Sequence, residues 1–99
     1  MQSHYSVQFT REMGCTLQEW RGWLPAAMGD VQWQQGETSA QAQIENGSLR
    51  ILWSEGEPRR IALISMPRLH VNFEFAGLDD AQRYTFMKRF DLYMQRGGG

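Results

Sequence analysis

The sequence predicts an α+β fold: strand, helix, a meander of four or five antiparallel strands, and a final helix, with both helices packed on one curved sheet. Three observations carry this. Apolar and polar residues alternate with period two at both ends of the strand-rich region. An Asn46-Gly47 pair divides two further strand-like runs. Two stretches that open on capping signatures repeat apolar residues at helical spacing.

In the first strand, expected over His4 to Thr10, Tyr5, Val7 and Phe9 share one side, with His4, Ser6, Gln8 and Thr10 on the other. Arg11 to Gly14 breaks that pattern. Thr16 followed by Glu19 is a capping box, and Cys15 stands where a staple partner for Trp20 is expected. Leu17, Trp20, Trp23, Leu24 and Ala27 then form one apolar stripe of a helix. Pro25 predicts a kink or restart near Leu24, because it lacks an amide hydrogen and crowds the carbonyl of Arg21. Val31 to Gln34 reads as a short, weak strand.

The meander is anchored at Asn46-Gly47, whose residues tolerate the positive φ of a tight hairpin between Ala40–Ile44 and Leu49–Trp53. Glu55-Gly56-Glu57-Pro58 reads as a second turn and Arg59 to Met66 as one further strand. Pro67 forces a change of direction. Leu69, Val71, Phe73 and Phe75 alternate with His70, Asn72 and Glu74, the clearest strand in the chain. Asp79 or Asp80 can cap the last helix, and the spacing to Gln82 favours Asp79. Phe86, Met87, Phe90, Tyr93 and Met94 line one side of that helix, which is expected to end at Gly97.

The 99 residues are expected to form one domain over 1–96 with a flexible Gly97–Gly99 tail. The hydrophobic fraction of 41% and charged fraction of 21% place the chain among globular proteins and away from disorder. A net charge of −1 argues against nucleic-acid or anionic-membrane partners, although local basic clusters are compatible with it. Cys15 is the single cysteine and excludes an intramolecular disulfide. No apolar run approaches the length of a membrane span. A cytoplasmic protein without a membrane partner is the resulting expectation. The order of elements resembles the plan shared by TATA-binding-protein-like and helix-grip folds; the likeness is one of element order, and implies a layered fold and no activity.

No phosphate loop, nucleophile elbow, paired-cysteine knuckle or His-Glu-x-x-His helix is present, so no catalytic residue, metal or cofactor is expected. His70, Asn72 and Glu74 project together and, with Arg60 and Trp33, form the candidate ligand-binding set. The alternative for the first three is an ordinary solvated sheet face. Cys15 next to a helix start reads as a small buried hydrophobe in preference to a nucleophile.

The middle strands place apolar residues on both sides, with Leu52 opposing Ile51 and Trp53, and Ala62, Ile64 and Met66 opposing Ile61 and Leu63. Two helices on one face would leave the other as an interface formed by Leu52, Ala62, Ile64 and Met66; the alternative is one helix on each face. The function expected is a non-enzymatic interaction module that homodimerises through its sheet. The alternative is a small apolar ligand held between sheet and last helix by Phe73, Phe75, Phe86, Met87 and Phe90, with His70 or Glu74 moving a proton.

Overall fold

The sheet expected from the alternating stretches is present in the computed structural model, which describes residues 4–96; the Gly97–Gly99 tail lies outside them. In chain order the elements are β1 (Gln8–Met13), α1 (Leu17–Met28), β2 (Gln32–Gln35), β3 (Ser39–Ile44), β4 (Gly47–Glu55), β5 (Arg59–Ile61), β6 (Ile64–Met66), β7 (Leu69–Ala76) and α2 (Asp80–Arg96). Five strands form one antiparallel sheet in the order β1-β7-β4-β3-β2, while β5 and β6 pair only with each other.

Strand parity decides which face is buried. Leu49, Ile51 and Trp53 of β4 and Leu69, Val71, Phe73 and Phe75 of β7 are all buried, as are Ala40, Ala42 and Ile44 of β3. Both helices cover this face. Trp20 of α1 meets Trp53 edge-on at 5.5 Å between ring centres, and Phe90 of α2 meets Phe73 at 5.5 Å with perpendicular rings. Phe75 and Met87 are buried in the same core. Arg89 reaches from α2 to the carbonyls of Ala26 and Ala27, at 3.2 and 3.1 Å, and so satisfies acceptors left free at the end of α1.

Both helix starts form as expected. Thr16 Oγ1 accepts from the Glu19 amide at 3.0 Å while Glu19 accepts from the Thr16 amide at 2.9 Å. Asp79 and Gln82 make the same reciprocal pair at 2.8 and 2.9 Å, so Asp79 caps α2. Cys15 and Trp20 are buried together. The first helix runs through Pro25 as one element to Met28.

Three expectations are corrected. The first strand lies at 8–13, not 4–10, because Arg11 continues it: the guanidinium lies 5.3 Å from the centre of the Phe9 ring and 5.1 Å from that of Phe73, and reaches Asp91 at 2.7 Å. The first hairpin turns at Glu45-Asn46, one residue earlier than expected, with Ile44 paired to Gly47 and Glu45 at φ 50. Gly47 serves a close approach instead, since a Cβ there would collide with the Ala76 carbonyl oxygen and come within 2.8 Å of the Gly77 carbonyl carbon.

The third correction concerns Arg59 to Met66, which is two strands and not one. The chain reverses at Ala62-Leu63, where Ala62 takes φ 55, and Ile61 pairs with Ile64. The ribbon β5–β6 continues the β4–β7 pair beyond the sheet. Between the pairs Glu55–Leu69 and Arg59–Met66, three residues on one strand face two on the other, a bulge that includes Gly56 and Pro58. The second apolar sheet face therefore does not form: only Leu52 lies in the sheet, whereas Ala62, Ile64 and Met66 lie on this arm.

Candidate functional site

Two surfaces could carry a function, and the first is the uncovered face of the sheet. The pairings Gln8–Glu74, Thr10–Asn72 and Glu12–His70 bring β1 alongside β7, and Arg50–Glu74, Leu52–Asn72 and Ser54–His70 bring β4 to its other side. His70, Asn72 and Glu74 thus share this face, on the strand between β1 and β4. Thr10 donates to Asn72 at 3.1 Å and Asn72 donates to Glu74 at 2.8 Å, a chain of bonds that fixes the amide.

His70 Nδ1 lies 3.8 Å from a Glu12 oxygen that Arg68 Nε approaches to 3.2 Å. The His70 ring also packs where a side chain on Gly56 would stand, within 2.7 Å of the Cβ position. A shallow depression of about 230 Å³ opens beside Thr10, Leu52, Ser54, His70 and Asn72. It is smaller than the roughly 300 Å³ at which ordinary ligand pockets begin. No group of three or more His, Cys, Asp or Glu among the described residues could hold a metal ion. Burial pushes the Cys15 thiol up, with the Glu19 charge adding to it, which keeps it protonated and poorly nucleophilic.

Trp33 and Arg60 are not part of this constellation. Trp33 is half-buried on the edge strand β2 opposite Ala42, a residue of the helix-covered face. Trp33 and Ala42 instead line, with Gln32, Gln34, Gln41 and Gln43, an open depression of about 600 Å³ on β2 and β3. Arg60 stands on the arm, paired with Ser65.

The arm is the second surface. Residues 57–67 are exposed without a break. Ile61 is 54%, Leu63 103%, Ile64 63% and Met66 45% exposed. The turn puts Ile61, Ile64 and Met66 on one side of the ribbon with Arg59, and Arg60 and Ser65 on the other. An isolated two-stranded ribbon is marginally stable in water, so these side chains gain little by facing solvent. Sequence reading placed Ile61 and Leu63 on one side of a single strand and missed that the two isoleucines meet.

No helix among the described residues is long and apolar enough to cross a membrane. Comparison with protein-family models, with curated proteins and with solved structures found no match to this chain.

Proposed function

We propose that this protein is a non-enzymatic interaction module whose contact element is the β5–β6 arm. The observation that supports this reading is the concentration of exposed apolar side chains there. Outside the arm only Val7 and Leu92 are large apolar residues exposed on the described surface. A patch of this kind, set apart from a core that is otherwise covered, is characteristic of a binding surface.

Self-association is the second reading, supported by the same side chains: two arms could cover one another's Ile61, Ile64 and Met66. Sedimentation velocity over a hundredfold concentration range, wild type against Ile64→Asp, tests both. A dimer that Ile64→Asp dissociates supports self-association through the arm. A monomer at every concentration, with equal thermal stability in the two proteins, fits an arm free to dock elsewhere. A large fall in the melting temperature of Ile64→Asp would mean that the arm packs on its own body, and would end the proposal.

A further inference from the structure

We infer that the β5–β6 arm docks on an anionic lipid surface, inserting its turn into the interface while Arg59 and Arg60 meet the phosphate layer. This rests on the reading of the arm as the contact element, and three features of the arm carry it.

The first is layering. The four residues of the turn, Ile61 to Ile64, are all apolar, and the next two pairs back are Arg60–Ser65 and Arg59–Met66. At the rise of an extended strand this apolar layer and the first pair behind it span about 7 Å, within the roughly 5–10 Å that apolar groups of peripheral proteins penetrate. Leu63, wholly exposed at the apex, would enter deepest. The arginines would then lie at headgroup depth, where each basic residue adds to binding of acidic lipid.

The second is the distribution of charge. No acidic residue occurs from Pro58 to Phe73, while Arg59, Arg60 and Arg68 are three of only ten basic residues in a chain with eleven acidic ones. The arm is basic and the rest of the chain acidic. Arg68 is engaged with Glu12, but neither Arg59 nor Arg60 is held in an ion pair among the described residues. Glu57 stands before the first residue of β5, at the base of the arm and farther from its tip than Arg59 and Arg60. Insertion tip-first therefore presents positive charge and holds negative charge back.

The third is area. The four large apolar side chains together expose roughly 500 Å² towards the free end of the arm, apolar surface that a lipid interface would remove from water. Among the described residues outside the arm, Val7 and Leu92 are the only exposed large apolar side chains. A lipid interface supplies both the apolar medium and the negative charge.

The experiment is flotation of the 99-residue protein with vesicles of phosphatidylcholine alone or with about one-third phosphatidylserine. Binding is expected only to the anionic vesicles at low salt. Leu63→Asp should abolish it, and Arg59→Gln and Arg60→Gln should each weaken it about fivefold, an effect that shrinks as salt is raised. The emission of Leu63→Trp less that of wild type, which carries Trp20, Trp23, Trp33 and Trp53, should shift to the blue and be quenched by brominated acyl chains, placing the turn within the interface. Absence of binding, or binding that Leu63→Asp leaves unchanged, overturns the lipid assignment. So does tighter binding to a duplex oligonucleotide than to anionic vesicles. An Ile64-dependent dimer that ignores vesicles would overturn the lipid assignment while sparing the arm as a contact element, whereas an arm packed on its own body would remove both.

Discussion

Arg11 of β1 and Asp91 of α2 form an ion pair of 2.7 Å across residues 80 positions apart, with the Tyr5 hydroxyl donating to the same carboxylate at 2.7 Å. The two charged side chains are only 22% and 18% exposed. Their bond fastens the outer strand to the last helix, and it lets a charged residue occupy a core-facing strand position. Asp91→Ala strips Arg11 of this carboxylate while its guanidinium remains against Phe9 and Phe73. A loss of about 2–3 kcal/mol is expected. Tyr5→Phe, which removes one neutral donor, should cost about 1 kcal/mol. Urea midpoints at neutral pH check both, and an Asp91→Ala protein as stable as wild type would show the pair to be incidental.

Tyr5 also predicts a pH dependence. Burial first, then the hydrogen bond and charge of Asp91, pushes its phenol from 10.0 up to about 12. The folded state therefore keeps a proton that the unfolded chain releases near pH 10. The resulting stabilisation is complete below pH 10 and is lost as the pH rises to about 12. Subtracting the stability curve of Tyr5→Phe from that of wild type removes the pH dependence that the two proteins share. The difference should be flat to pH 10 and fall above it; a difference flat throughout would contradict the raised phenol.

The pattern in these residues explains what sequence reading could reach. Thr16 with Glu19, and Asp79 with Gln82, satisfy one another within a single helical turn, so each cap was legible. The alternation from Leu69 to Phe75 was legible because β7 lies between two strands with one face on the core. Arg11 was read as a break because its partner lies on the far helix. The arm was missed because Ala62-Leu63 has no glycine, asparagine or proline to mark a reversal, and an alanine at positive φ is a conformation that local preference argues against. In the candidate ligand set, parity placed His70, Asn72 and Glu74 on one face, but it carried no information about the strand order that sets Trp33 and Arg60 apart.

The caps make a direct test of local against tertiary stabilisation. Thr16→Ala removes the acceptor for the Glu19 amide and should cost about 1 kcal/mol. Asp79→Ala should cost a similar amount. Because the two helices lie on one sheet face but start at separate positions, the double variant should lose close to the sum of the single losses. Thermal denaturation of all four proteins reads this, and strong non-additivity would mean that the helix starts are coupled through the core.

Two glycines should respond to alanine in opposite directions. Gly22 lies inside α1, with nothing within 4 Å of the position a Cβ would take. Alanine there removes backbone freedom from the unfolded chain and places a better helix former, so Gly22→Ala should stabilise by about 0.5–1 kcal/mol. Gly47 is the reverse case. Its Cβ would run into the backbone of Ala76 and Gly77, where Asn46 also donates to the Gly77 carbonyl at 2.9 Å and accepts from Gln82 at 2.9 Å. Backbone atoms held between a strand and the start of a helix cannot move aside as a flexible side chain could. Gly47→Ala should therefore destabilise by about 2–3 kcal/mol, the range of an overpacked core site, whereas a hairpin glycine needed only for turn geometry would respond according to its φ alone. Asn46→Ala separates these causes. If the junction of the first hairpin with β7 and α2 is the origin of the effect, this variant should also destabilise; a normal melting temperature for both variants would leave the close approach without energetic weight.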